Sequence, residues 1–89
     1  MTKTEIYNIA IALYGDAEQE VVAIEECSEL IQAISHKHRG RPHNIAEEIA
    51  DVEIMLEQLK IINDCAETVE QLKRYKIERL LNRMRGVEL

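Results

Sequence analysis

Two clusters of acidic residues give the strongest chemical signal in this chain. The first cluster, EECSE, is followed after eighteen residues by the second, EIAD. If both segments are helical, Glu26 and Glu29 share one helix face and Glu48 and Asp51 share another, because residues three apart are neighbours on a helix surface. Four carboxylates brought together need cations, and all-oxygen ligands favour hard ions such as Mg²⁺ or Mn²⁺. The pattern therefore predicts a metal site between two helices.

The composition indicates which kind of fold positions these acids. The 89 residues are 46% hydrophobic and include no Trp, no Phe, one Pro and three Gly, which suits helices better than sheets. A chain of this length buries a relatively small share of its surface, so it gains from association between copies. We expect an all-α, four-helix, bundle-like fold in a single domain spanning residues 1–89, completed by packing between copies.

The charge and the cysteines exclude several function classes. A formal net charge of −6 argues against a general nucleic-acid coat, which needs a basic surface, but it permits a nucleotide bound through divalent ions. Cys27 and Cys65 are too few and too far apart for a zinc motif, and we expect both to be core or near-core residues. We expect no leader peptide, because the first residues lack a charged segment followed by an apolar one, and the sequence contains no long apolar run. The simplest interpretation is a cytoplasmic protein whose partners include neither membrane nor nucleic-acid polymer.

Four segments match the capping-box pattern that begins a helix, in which the first side chain accepts from a backbone N–H and the fourth reaches back. The boxes are Thr2-x-x-Glu5, Asp16-x-x-Gln19, Asn44-x-x-Glu47 and Asp64-x-x-Glu67. They predict helices at about 3–14, 17–38, 45–63 and 66–85. The remaining loop, from Arg39 to Asn44, is locally basic and is either a solvated connector or a patch that meets phosphates.

A helical wheel of the third helix places one acid on an apolar face. Glu48 lies inside the apolar stripe, and Asp51 lies at its edge. A carboxylate that faces a core must be paired, protonated or bound to metal. A functional site and a structural ion pair both remain open for Glu48. The stripe consists of Ile45, Ile49, Val52, Met55, Leu56 and Leu59.

The wheel of the second helix separates its acids from its wider apolar face. That face consists of Ile24, Cys27, Leu30, Ile31 and Ile34. Glu25, Glu26 and Glu29 cluster roughly opposite it, around Val22 and Ala33. The acids therefore form either a solvated surface or the wall of a groove.

The fourth helix carries cations on its apolar face. Lys73, Lys76 and Arg83 share this face with Val69, Leu72, Leu80 and Met84, and Arg79 flanks it. Either the aliphatic stems of these cations cover the core, or their heads meet carboxylates or phosphate oxygens.

The spacing of the acids resembles the signature of a known family. A Glu-Glu-x-x-Glu motif, eighteen residues and a Glu-x-x-Asp motif, all on helices, are similar to the all-α nucleoside triphosphate pyrophosphohydrolases of the MazG-like superfamily. The similarity covers residues 25–51 closely and the helical layout of most of the chain. It implies hydrolysis of a nucleoside or deoxynucleoside triphosphate between its α and β phosphates, giving the monophosphate and pyrophosphate.

The resemblance also implies roles for individual residues. Glu26, Glu29, Glu48 and Asp51 would hold Mg²⁺, with Mn²⁺ as an alternative, and Glu25 and Glu29 would be catalytic, Glu25 as an accessory acid or water-orienting group. Basic residues of a later helix would bind the substrate phosphates. By position these are Lys73, Lys76, Arg79 and Arg83.

The resemblance further implies a homodimer or a dimer of dimers with sites near the subunit interfaces. Ala50 and Ile54 lie off the main stripe of the third helix and suit a second interface. The chain lacks the Trp of larger relatives, so a base-stacking role would fall to Tyr7, Tyr14 or Tyr75, each of which suits a core or interface position better.

Two other functions compete with this one. The first is a helical adaptor whose acids form structural ion pairs with Lys73, Lys76 and Arg83 and need no metal. The second is a di-iron carboxylate bundle, which calls for Glu-x-x-His motifs. Neither Glu26 nor Glu48 has a His three residues later, so the sequence disfavours the di-iron interpretation.

Overall fold

The computed structural model describes residues 1–86, which form four α-helices and, within that range, no strand. The helices are α1 (Lys3–Tyr14), α2 (Asp16–His38), α3 (Ile45–Ile62) and α4 (Ala66–Arg85). The all-α prediction is confirmed, and each helix begins and ends within one residue of its expected position. No helix of the described chain has the length and apolar character needed to cross a membrane.

The helix starts follow the capping pattern only once. The backbone N–H of Glu5 donates to Oγ1 of Thr2 over 3.1 Å, as the first capping box predicts. The capping hydrogen bonds predicted for the other three boxes do not form, since α2, α3 and α4 have no side-chain hydrogen bond at their N-caps. At α3 the reason is visible, because the side-chain amide of Asn44 donates to Glu48. Gly15, at a φ of 93°, both ends α1 and precedes α2.

The core of the chain is the antiparallel hairpin of α2 and α3. Its buried seam consists of Gln19, Ala23 and Ala33 on α2 and of Glu48, Val52, Met55 and Gln58 on α3. Alanines let the two helix backbones approach closely, which favours tight packing. At the end of the seam where α2 begins, Nε2 of Gln19 donates to Oε1 of Gln58 over 2.6 Å. The seam is therefore narrow and partly polar.

The position of this seam favours the second of the two interpretations of the acids on α2, in which they line a contact surface. The wide apolar stripe of α2 does not face α3, since Ile24 and Ile31 are 69% and 67% exposed. Cys27 lies on the same stripe and is exposed, so its core assignment was wrong, whereas Cys65 is half-buried. The face with the acids and alanines packs against α3 instead. A helical wheel ranks faces by hydrophobicity, but packing within this chain followed the smaller side chains.

The outer helices pack less extensively. Helix α1 contacts both α2 and α3, whereas α4 contacts only α3 among the described helices. Every residue from Glu70 to Gly86 is exposed. The radius of gyration is 16.4 Å, compared with about 12 Å for a compact domain of this length. The single chain is thus an α2–α3 hairpin with α1 against it and α4 attached mainly by its first turns.

Candidate metal centre

The four predicted acids converge in the α2–α3 seam. Glu26 and Glu29 lie one turn apart on α2, and Glu48 and Asp51 lie one turn apart on α3. Each offers a carboxylate oxygen, and these oxygens all lie within 4.8 Å of one another. We call these residues the acidic quartet. The antiparallel hairpin brings the two motifs together, because the chain reverses between them.

Glu48 is the most deeply buried member of the quartet. It is 7% exposed, and its Oε1 accepts a hydrogen bond of 2.8 Å from Nδ2 of Asn44. Its Oε2 is buried and has no hydrogen-bond partner, and the same is true of Oε2 of half-buried Glu26. Buried polar atoms are nearly always paired, so these two carboxylate oxygens are candidate ligands for a cation.

Electrostatics at the quartet favour protonation when no cation is present. Burial raises the pKa of Glu26 above its ordinary value of 4.5, and the charges of Glu29, Asp51 and Glu48 raise it further. Burial is also the main cause that raises the pKa of Glu48, with Glu29 and Asp51 adding to it, while the hydrogen bond from Asn44 opposes the shift. These carboxylates therefore need either protons or cations to lie together.

Protein cations do not supply this neutralisation within the described chain. The ion pairs among residues 1–86 join Lys60 to Glu57 and Glu70, and Lys73 to Glu70. None of these pairs involves the quartet. The structural ion pairs expected for an adaptor, from Lys73, Lys76 or Arg83 to the acids, do not occur in this part of the protein.

The donor set fits a small hard cation. All four residues present carboxylate oxygens, the donors that Mg²⁺ and Mn²⁺ prefer. Because one oxygen of each residue lies within 4.8 Å of the others, a single cation could contact several of them. The two unpaired oxygens are available for this contact.

The other predicted site residues lie outside the quartet. Glu25 is exposed on α2, one residue before Glu26. The four predicted phosphate-binding cations are exposed on α4, and none lies within ion-pair distance of a quartet carboxylate in the described chain. Lys73 instead pairs with Glu70 over 3.6 Å. These four cations are Lys73, Lys76, Arg79 and Arg83.

An open groove lies between α1, α3 and the start of α4. Its volume is about 1100 Å³, and no residue of the quartet lines it. Among its lining residues are Ile6, Tyr7, Ala50, Ile54, Val69 and Lys73. We call it the α3 groove. Tyr7 is half-buried here, whereas Tyr14 and Tyr75 are 61% and 62% exposed.

Sequence reasoning missed Asn44 as a residue of this site. Its side-chain amide orients Glu48 through one hydrogen bond and lies 3.5 Å from Oε2 of Glu47. The available signal was the spacing of four residues from Asn44 to Glu48, which places the two side chains on one helix face. The capping-box interpretation hid this signal.

Comparisons with protein-family models, with curated proteins and with solved structures found no match to this chain. The resemblance to MazG-like enzymes therefore rests on the acidic motifs and their spacing. The geometry of the quartet is the independent evidence for a cation site.

Proposed function

We propose that this protein is a Mg²⁺-dependent pyrophosphohydrolase that cleaves nucleoside or deoxynucleoside triphosphates between the α and β phosphates. The observation behind this proposal is the buried carboxylate of Glu48, whose Oε2 lies unpaired among three further carboxylates. An anionic site of this kind attracts divalent cations, and a negatively charged triphosphate also binds them. The reaction is inferred from the spacing of the acidic motifs, which resembles that of the MazG-like enzymes.

Each part of the site has a role in this proposal. The quartet holds the cations, which when bound offset the charge of the triphosphate and act as Lewis acids. Asn44 holds the carboxylate of Glu48 in its inward orientation through the 2.8 Å hydrogen bond. Glu25 and Glu29 are exposed at the edge of the site, where they orient the attacking water or accept its proton. Lys73, Lys76, Arg79 and Arg83 bind the phosphates.

The proposed enzyme also has an expected location and oligomeric state. It acts in the cytoplasm as a homodimer or homotetramer, and its reaction releases a nucleoside monophosphate and pyrophosphate. The acidic chain neither binds a nucleic-acid polymer nor associates with a membrane in this scheme.

A panel of nucleoside and deoxynucleoside triphosphates, incubated with the purified protein and Mg²⁺, tests the reaction. We expect pyrophosphate and monophosphate as products, and we expect Glu48→Gln and Asp51→Asn to abolish their release while circular dichroism shows the native helix content. Glu20→Gln is the matched control, because it removes an exposed acid from α2 outside the quartet. It should retain wild-type activity.

The outcomes separate the proposal from its rivals. Orthophosphate as the first product would contradict the assignment of the cleaved bond. No turnover of any nucleotide, together with no divalent-ion binding by calorimetry, would favour the helical adaptor.

A further inference from the structure

A short segment between α2 and α3 concentrates positive charge. Residues 36–43, which we call the basic turn, contain Lys37, Arg39 and Arg41 together with three histidines and no acid. The rest of the chain contains eight Lys or Arg and seventeen Asp or Glu. Every residue of the basic turn is exposed, and none forms an ion pair within the described chain. These cations are therefore available to an anion from outside the chain.

Hydrogen bonds fix the backbone of the basic turn. The N–H of Arg41 donates to the carbonyl of His36 over 2.9 Å, and the N–H of Gly40 donates to that of Lys37 over 3.1 Å. With Gly40 at a φ of 67°, these bonds form a Schellman motif. Cations at the end of a helix also stabilise its dipole, but Arg41 lies beyond α2 and the carbonyls are already bonded. A turn fixed in this way binds a ligand at a lower cost in conformational entropy.

A hydrogen bond joins the end of this segment to the acidic quartet. Asn44 directly follows the basic turn, and its side-chain amide donates to Glu48 over 2.8 Å. The N–H of Ile45 donates to Nδ1 of His43 over 3.4 Å, so the ring of His43 lies against the first turn of α3. Glu48 lies about 6 Å further along the helix axis than Asn44, at 1.5 Å per residue. The basic turn therefore ends one helical turn from the most deeply buried acid.

On α2, acids of the quartet and residues of the basic turn lie along one side of the helix. His36 is seven residues beyond Glu29, and Lys37 is eleven residues beyond Glu26. These spacings are close to two and three full turns, so they return to the same side. The distance along α2 from Glu29 to His36 is about 10 Å. Glu29 is exposed, so a polyanion at this edge of the quartet can extend toward the basic turn without entering the seam.

The distribution of cations along the hairpin favours this direction. Helix α2 contains no Lys or Arg before Lys37, and α3 contains none before Lys60. Lys60 lies at the opposite end of the hairpin, lines the α3 groove and pairs with Glu57 over 2.9 Å. The seam toward that end is closed by the neutral pair of Gln19 and Gln58. Within the hairpin, unpaired cations thus lie only on the turn side of the quartet.

We propose that the basic turn binds the β and γ phosphates of the nucleoside triphosphate while its α phosphate lies at the acidic quartet. The identity of this anion rests on the proposed function. Arg39 and Arg41 are the principal contacts, because one guanidinium can donate two hydrogen bonds to the oxygens of a phosphate. Lys37 adds a further charge. The basic turn acts together with the cations of α4 and orients the triphosphate, with its nucleoside pointing away from the turn.

In this position the basic turn stabilises the leaving group. Water adds to the α phosphorus and gives its proton to the acids at the edge of the site. The bond from the α phosphorus to the bridging oxygen breaks, and this oxygen leaves with the β phosphorus as part of pyrophosphate. Negative charge therefore grows on the group that Arg39 and Arg41 contact, and donors placed where charge develops lower the barrier.

Calorimetric titration with inorganic pyrophosphate in the presence of Mg²⁺ tests the binding without turnover. We expect the double variant Arg39→Gln, Arg41→Gln to bind pyrophosphate about 10-fold more weakly than the wild type, because it loses hydrogen bonds to a charged group. The matched control is Lys3→Gln with Arg74→Gln, which removes two exposed cations elsewhere and changes the net charge equally. It should bind as the wild type does. Equal affinity of the wild type and the turn variant would overturn the proposal, as would a wild type that does not bind pyrophosphate.

Amide chemical shifts measured by NMR locate the anion. With Mg²⁺ present, pyrophosphate should shift the amide signals of residues 37–44 and leave the side-chain amides of Gln19 and Gln58 unchanged. In chelator we expect no such shifts, because the uncompensated carboxylates of the quartet repel the anion. Shifts confined to α4 would contradict binding at the turn. Shifts of equal size in chelator would show an adventitious anion on a basic surface and would also overturn the proposal.

Steady-state kinetics separate this inference from the proposed function. With the triphosphate that the wild type cleaves, the turn variant should lose kcat/KM by at least the factor found for pyrophosphate binding, whereas the control should keep it. An active wild type whose turn variant has unchanged kcat/KM would reject the turn and leave the proposed function in place. If the wild type cleaves no nucleotide, the proposed function fails, and pyrophosphate binding at the turn stands on the first two tests.

Discussion

A divalent cation should reverse the order of stability of the wild type and the isosteric variant Glu48→Gln. Glu48→Gln keeps the size of the side chain and an oxygen that accepts from Asn44. It removes one negative charge from a buried position near three other carboxylates. We therefore expect the variant to be more stable than the wild type in a chelator, where no cation offsets the repulsion.

The cation should reverse this order. A ligand present at a hundred times its dissociation constant stabilises the folded state by about 2.7 kcal/mol. For a domain of this size that corresponds to a rise of about 10–20 °C in Tm. Mutation of a residue that only contacts a metal ligand lowers metal affinity by up to about 100-fold. Loss of one of the four carboxylates should lower cation affinity by at least this factor. At the same cation concentration the variant then gains only about 0.4 kcal/mol.

Thermal unfolding followed by circular dichroism measures both effects, with Mg²⁺ or Mn²⁺ titrated into wild type, Glu48→Gln and the control Glu20→Gln. The control should respond to the cation as the wild type does. Equal stabilisation of wild type and Glu48→Gln by the cation would refute a metal site at the quartet. A variant that is less stable than the wild type in chelator would refute the electrostatic argument itself.

Three further predictions follow from the seam and its polar groups. In chelator, the unfolding free energy should fall as the pH rises above 4.5, because the raised pKa values of Glu26 and Glu48 make the folded state bind more protons than the unfolded state. Urea denaturation at a series of pH values measures this fall, which should be smaller for Glu48→Gln than for the wild type. Asn44→Ala should lower Mn²⁺ affinity by about 10–100-fold in calorimetry, because Glu48 loses its orienting hydrogen bond. Asn8→Ala is the control, since the amide of Asn8 bonds only to the backbone of its own helix within the described chain. Gln58→Leu should destabilise the protein by about 1–3 kcal/mol because it leaves the buried amide of Gln19 unpaired, and the double variant with Gln19→Leu should recover most of the loss.

The convergence of the four carboxylates was predictable because it depends on local periodicity and one chain reversal. Residues three apart share a helix face, so EExxE and ExxD each present a carboxylate pair once their segments are helical. The loop at Gly40 then turns α3 back along α2. The burial of Glu48 was also foreseeable, because its neighbours on the wheel are Val52 and Met55, and both are buried.

The packing of α2 was not predictable from the same wheel. The stripe with Ile24 and Ile31 is the most hydrophobic face of α2. A helical wheel takes no account of other copies of the chain, so it favours this stripe as the core-facing side. Hydrophobicity does not reveal whether a face is covered by the same chain or by another copy. Here the small side chains of Ala23 and Ala33 are packed within the chain, and the large ones remain exposed.

The seam that holds the chain together and the candidate metal centre are therefore the same surface. Between the amide pair of Gln19 and Gln58 and the quartet, the buried apolar side chains are few: Ala23, Val52 and Met55. A longer apolar seam would bury more hydrophobic surface between the two helices, but it would leave no room for four carboxylates. Because the quartet occupies positions that a purely structural hairpin would fill with apolar side chains, binding of a cation there would be thermodynamically linked to folding. Exposed apolar surface on α2 and α4 is then available for contacts between copies, and such contacts would supply the stability that the short seam lacks.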